Sequence, residues 1–352
     1  MEKTLKKENF NSLITGLKDK GYKTIAPKKD NNLITLCEIQ EADEIHFDHI
    51  QTNNSIKEYF LPKTEKILSY TIEKTKVSIE EPEGFAVKSV VFGARPCDAA
   101  SLPIMDKVFN WDCTDKFWIE RREAITVVTI ACDKCDSYCF CTSVGLAPDS
   151  KKGSDVLLTK ISDDEYLVET ETEKGEGLIK ELETVFSEPP SGTPDRQVAT
   201  VEKKFEIDKV KPWLDENFVH KIWAEFSKKC IGCGVCTFVC PTCHCFDIVD
   251  ECTMAKGDRV KNWDGCQFKM FTLHTSGHNP RSTQDQRWRQ RIMHKFKYYV
   301  EKFDNILCVG CGRCSRSCPA DMNISEMLEI IATDEGQPEP VSSDEGQPVS
   351  KE

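Results

Sequence analysis

Two runs of cysteine constrain this chain more than any other feature. The first, CIGCGVCTFVCP, begins at Cys230, and the second, CVGCGRCSRSCP, begins at Cys308; each fits C-x-x-C-x-x-C-x-x-x-C-P. At that spacing a tight loop offers three thiolates to three corners of one 4Fe-4S cube, and the fourth cysteine ligates a second cube. Gly232, Gly234, Gly310 and Gly312 beside the sulfurs let backbone N–H groups approach, and the proline turns the chain away. The rule assigns Cys230, Cys233, Cys236 and Cys318 to one cube, and Cys308, Cys311, Cys314 and Cys240 to the other. The two cubes must then be neighbours. A structural zinc site would use two separated C-x-x-C pairs, not two quartets each followed by proline.

The other cysteines share this setting. The chain has 19 of them, bunched at short spacings, and its opening MEKTLKKENFNS has no apolar leader. This points to a cytoplasmic protein with metal-bound or free thiols, and against a disulfide framework. At 352 residues and 39% hydrophobic, the sequence has room for two or three globular domains. No window approaches the roughly 18 apolar residues of a membrane span. A net charge of -12 is wrong for a nucleic-acid binder and leaves proteins as the expected partners.

Periodicity predicts an α+β fold. ENFNSLITGLKDKGY has apolar residues at helical spacing, while GFAVKSVVFGARPCD and AITVVTIACDKC read as buried strands that lead into cysteine. DVLLTKI and EYLVETE form a hairpin pattern, followed by a helix in GEGLIKELETVF. These make an N-terminal α/β sheet domain over 1–190, ending at the connection SEPPSGTPDRQ, residues 187 to 197. From 198 to 332, LDENFVHKIWAEFSKKC and MNISEMLEIIA predict a mostly helical, dicluster ferredoxin-like domain. The near-duplicates DEGQPEPVS and DEGQPVS predict a disordered acidic tail over 333–352.

Strand ends should bring Cys97, Cys132, Cys139 and Cys141 to one edge of the N-terminal sheet, enough thiolates for a third cube. Cys135 could replace one of them, and free thiols are the alternative. Between the quartets, Arg281, Arg287, Trp288, Arg289, Arg291, Lys295 and Lys297 form a basic, aromatic stretch, read as a solvated or docking helix in preference to a nucleic-acid site. Cys243, Cys245, Cys252 and Cys266 remain near the first quartet, as thiols packing around the cubes or as a further centre. A substrate-reducing centre near Cys243, Cys245 and Cys266 would make the chain a reductase itself. His278 in SGHNPR is read as fixing its loop. No G-x-G-x-x-G follows a strand and no P-loop is present, so the residues give no positive sign of a dinucleotide, flavin or nucleotide site.

FGARPCDAASLPIMDKVF, YCFCTSVG, CIGCGVCTFVCPTCHCFDIVDE, WDGCQF, SGHNPR and CVGCGRCSRSCPA occur in this order. In these segments the chain resembles the iron-sulfur subunits that include the anaerobic sulfite reductase A subunit and the sulfhydrogenase beta subunit. The resemblance implies electron transfer between a flavoprotein partner that oxidises NAD(P)H and a catalytic partner of sulfite reductase, hydrogenase or heterodisulfide reductase type. It implies a third 4Fe-4S cluster on Cys97, Cys132, Cys139 and Cys141, leaves Cys135 unmatched, and puts the flavin on a partner subunit.

Overall fold

The computed structural model describes residues 1–189, 192 and 194–333. The connection expected at 187 to 197 lies partly outside the described residues, and so does the expected tail beyond Thr333. Eleven strands, β1 (Glu2–Lys6), β2 (Lys23–Asp30), β3 (Leu33–Ile39), β4 (Thr64–Glu73), β5 (Lys76–Glu80), β6 (Ser89–Ala94), β7 (Ile125–Ile130), β8 (Val156–Lys160), β9 (Glu165–Thr170), β10 (Phe246–Cys252) and β11 (Lys256–Trp263), form two sheets among the described residues. The larger runs β1-β9-β8-β7-β6-β2-β3 and the smaller β10-β11-β4-β5.

In the larger sheet β2, β6, β7 and β8 are parallel, with antiparallel strands at both edges. The central SVVFGA and ITVVTI are buried along their whole length, as expected for parallel strands covered on both faces. Alternate residues go to opposite sides. Val90, Phe92, Val128 and Ile130 pack with Phe10, Leu13, Ile14 and Leu17 of the helix Phe10–Asp19 and with Leu178 and Ile179 of the helix Glu173–Glu181. Val91 and Val127 pack with Ala99, Leu102 and Met105 of the helix Pro96–Phe109 and with Trp118. Because β6 and β7 are parallel neighbours, with Ala94 opposite Thr129, the segments that follow them leave the sheet at the same edge.

The C-terminal half is helical around its cysteine loops. Trp213, Trp223, Trp288, Ile292, Phe296 and Leu328 form its core. The single helical pattern of LDENFVHKIWAEFSKKC is divided into Val210–Glu216 and Ile222–Ser227. The break lets Trp223 Nε1 donate to the Asn217 carbonyl at 3.0 Å and sets the Trp213 and Trp223 rings 6.0 Å apart. The segment between the quartets also contains strands, which periodicity did not indicate: β10 and β11 pair with each other, and β11 pairs antiparallel with β4 of the N-terminal half.

The small sheet is fastened by a buried charge group. Glu65 on β4 accepts from Arg121 of the helix Lys116–Ala124 and pairs with Lys261 Nζ of β11 at 2.6 Å. All three side chains are at most 9% exposed, so removing the carboxylate leaves Arg121 unpaired in a low-dielectric interior and Lys261 with only Asp115, at 3.5 Å. Glu65→Ala is expected to lower the unfolding free energy of the loaded protein by about 3–5 kcal/mol, measured by urea titration.

Candidate iron-sulfur centres

Cys230, Cys233, Cys236 and Cys318 line one cavity with Ile231, Val235, Trp288, Met322 and Ile324. Three of the cysteines come from the first run and Cys318 from the second, the exchange that the spacing requires. Gln284 Nε2 donates to Cys230 Sγ at 3.2 Å, and burial pushes the Cys236 thiol up to about 12.

Cys308, Cys311, Cys314 and Cys240 form a second, deeper group. Cys308 and Cys311 each lie within electrostatic reach of Cys240 and Cys314, and burial raises their thiols to about 11 and about 12. Thr242 ties the two runs together: its hydroxyl donates to the Leu307 carbonyl at 2.8 Å and stands 3.3 Å from Cys240 Sγ. The two groups adjoin, since Cys314 also lines the first cavity.

Cys97, Cys132, Cys139 and Cys141 line another cavity, with Gly310 and Cys311 on its wall. Cys97 follows β6 and Cys132 follows β7, so the parallel register supplies two of the four sulfurs from the same edge. Burial raises the Cys132 thiol to about 11 and that of Cys141 to about 12. Gln51 Nε2 donates to Cys97 Sγ at 2.9 Å and Arg316 Nη2 to Cys139 Sγ at 3.1 Å. Cys135 also borders this cavity, but its thiol donates to the Thr200 carbonyl at 3.3 Å. The second cysteine run rests directly on this site: Phe140 N–H donates to the Gly310 carbonyl at 2.9 Å. Gly310 (φ 63°) and Gly312 (φ 70°) permit the approach, because a Cβ on either would stand 2.5 Å from the Cys141 nitrogen or the Tyr138 carbonyl oxygen.

Two observations test whether these groups fit iron-sulfur cubes. Among the described residues no three His, Cys, Asp or Glu side chains converge tightly enough to hold one metal ion. Sulfurs spread around a cavity suit a cube, in which each thiolate binds a different iron. The second observation is charge. Lys57, Arg291 and Lys295 are buried, and none pairs with a carboxylate among the described residues. Lys295 Nζ donates to Cys240 Sγ at 3.3 Å, to Thr242 Oγ1 at 3.1 Å and to the Leu307 carbonyl at 2.8 Å. Arg291 donates from Nη2 to the Cys236 carbonyl at 2.9 Å and from Nη1 to Cys243 Sγ at 3.5 Å. Lys57 Nζ donates to the Cys243 carbonyl at 3.0 Å, and burial lowers it to about 8. Burial opposes the charge on Lys295 as well, yet the Cys240 and Cys243 sulfurs hold it above the ordinary lysine value. Burying a cation without a counter-charge costs several kcal/mol. Thiolate-ligated cubes provide the anion that these side chains lack, and the donor sets fit them.

Arg291, Lys295 and Trp288 therefore do not belong to a solvated helix: all three are buried, because the face they share turns inward onto the cysteine loops. Their sequence signal is the helical spacing of Trp288, Arg291, Ile292 and Lys295; the acidic total of the chain hid it. Lys57 has no such signal. Of the other cysteines, Cys243 donates its thiol to Cys240 and holds the latter below the usual thiol value, with Lys295 and Arg291 adding to the effect against burial. Cys245 and Cys266 lie within reach of each other, and Cys252 is exposed on β10. His278 closes its loop, accepting from His274 N–H at 2.9 Å.

Residues 229–322 match a family described as a 4Fe-4S dicluster domain. The chain is similar to the sulfhydrogenase 2 subunit beta of Pyrococcus furiosus, with 29% identity over 335 residues that cover 93% of this chain and 97% of that protein. No solved structure matches it. The two matches bear out the resemblance to the 4Fe-4S electron-transfer subunits. No helix among the described residues is long and apolar enough to cross a membrane.

The contact between Cys135 and Thr200 separates it from its neighbours. Cys139→Ser is expected to lower the iron content by up to about four atoms per chain, whereas Cys135→Ser leaves it unchanged, as measured on anaerobically reconstituted protein.

Proposed function

We propose that this chain, a relative of the sulfhydrogenase beta subunit among the 4Fe-4S electron-transfer subunits, relays single electrons through three cubes between two partner subunits. The observation that supports this is the adjacency of its cysteine groups. Cys314 of the middle group borders the first cavity and Cys311 borders the third, so neighbouring groups share walls. A 4Fe-4S cube supplies a one-electron carrier whose potential depends on net charge, hydrogen bonds to sulfur and exposure. The residues of this chain supply the rest. Cys230, Cys233, Cys236 and Cys318 hold the first cube, Cys308, Cys311, Cys314 and Cys240 the middle one, and Cys97, Cys132, Cys139 and Cys141 the third. On this reading residues 1–190 carry the third cube and residues 198–332 the other two.

Exposure sets the ends of the line. Cys233 is exposed, which makes the first cube an outlet to a partner, while Cys240 in the middle group is buried. The third cube, at the edge of the parallel sheet where β6 and β7 end, forms the other outlet. One partner is a flavoprotein that oxidises NAD(P)H, and the other is a catalytic subunit. The relative's name makes a hydrogenase-type partner the first to test, ahead of sulfite reductase and heterodisulfide reductase types. The complex is cytoplasmic. The reading of the chain as a reductase with a centre near Cys243, Cys245 and Cys266 has less support, because Cys243 is already engaged with Cys240 and Arg291.

Iron and acid-labile sulfide are expected at about twelve of each per chain after anaerobic reconstitution; about eight would remove the third cube, and about sixteen would favour the reductase reading. In the copurified complex, Cys236→Ser or Cys314→Ser should block electron flow between the partners and leave NAD(P)H oxidation with an artificial acceptor intact. Equal loss of both activities would contradict the relay.

A further inference from the structure

Lys295 hangs from an unusual turn. Residues His294–Tyr298 form a π-helical turn between the helices Gln284–Met293 and Tyr299–Phe303, and the wider turn carries the lysine into the protein interior. Its ammonium is fixed by the Leu307 carbonyl, the Thr242 hydroxyl and Cys240 Sγ, with no carboxylate to offset it. Lys57, likewise without a carboxylate among the described residues, donates to the Cys243 carbonyl, and Arg291 stands between this group and the first, donating to the Cys236 carbonyl and to Cys243 Sγ.

The end groups are provided differently. Cys230 receives a neutral amide from Gln284. At the third group the arginine on Cys139 is Arg316, paired with Asp136 at 2.6 Å, and Arg313 is paired with Asp98 at 2.6 Å. Arg95 lies near Cys132, but Asp98 and Asp133 stand beside the same sulfurs. Arg291 borders the first cavity and is shared between the first and middle groups, so the unpaired cation in direct contact with a ligand sulfur of the middle group is Lys295, with Lys57 within electrostatic reach of the same Cys240.

One-electron reduction of a cube held there would add one negative charge with little rearrangement and no bond broken. A fixed cation near the sulfurs stabilises the reduced form more than the oxidised form, so it raises the potential. We propose that Lys295, supported by Lys57, is a positioning residue that makes the middle cube the highest-potential station of the relay. This rests on the three-cube reading. An electron entering from either end falls into the middle and waits there, so the chain can hold one electron while a two-electron donor releases its second.

The test is a potentiometric titration followed by electron paramagnetic resonance on the full chain, reconstituted without oxygen, with iron and sulfide measured in every sample. In the unsubstituted protein one centre is expected to be reduced before the other two. Lys295→Met should lower the midpoint of that centre alone, and Lys295→Arg should restore it at unchanged iron content. An unshifted midpoint in fully loaded Lys295→Met, or a shift confined to a lower-potential centre, overturns the inference. Should Lys295→Met load poorly, Lys57→Met decides in the same way, since Lys57 touches backbone carbonyls and a ring but no ligand sulfur. Fewer than about twelve iron in the unsubstituted protein would instead count against the three-cube reading.

Discussion

Negative charge in a low-dielectric interior must be met by positive charge, and the rest of this structure follows from that requirement. Thiols buried as deeply as those of Cys236, Cys311 and Cys141 resist deprotonation in water-free surroundings. The buried cations Arg291 and Arg313 favour the thiolate forms of Cys236 and Cys311 against that burial, and Lys295 does the same for Cys240 and Cys308. Buried cations come from both halves of the chain. Lys57 belongs to the N-terminal half and reaches the Cys243 carbonyl 186 residues away, while Arg313 of the second cysteine run pairs with Asp98 behind Cys97. Charge compensation thus joins the halves as firmly as the shared small sheet does.

The parallel sheet contributes position. Strands β6 and β7 are held in register by apolar packing on both faces, so the segments carrying Cys97 and Cys132 emerge beside each other without any contact between the cysteines being needed to align them. The second cysteine run then closes the site from the other side through Gly310 and Gly312, where any side chain would collide with the 138–141 loop. A rigid edge and a tight loop together bring two groups of sulfurs to a common wall.

Much of the fold was legible locally. The helix at Phe10–Asp19, the β8–β9 hairpin and the buried central strands follow from apolar spacing, which responds to burial within a few residues. The break after Glu216 was not legible, because the apolar period runs through it and the tryptophan contact that rewards it forms only on folding. Strands β10 and β11 escaped notice for a related reason. FDIVDEC is charged and largely exposed, KGDRVKNW is charged and only partly buried, and their sheet depends on β4, far off in sequence. Arg291 and Lys295 were visible as residues but not as buried ones, since a basic stretch reads as surface until its partners are known.

What the sequence determined by itself is the composition of the two ferredoxin-like groups. Their spacing operates within single loops, where a few backbone dihedrals decide whether three sulfurs can converge, and the exchange of the fourth cysteines follows from the same geometry. Tertiary structure decided the rest: the Cys135 thiol bonded to the Thr200 carbonyl, the walls that neighbouring groups share, and the contact of unpaired Lys295 with Cys240. Those outcomes depend on contacts between segments far apart in the chain, and only the packing of the whole protein makes them.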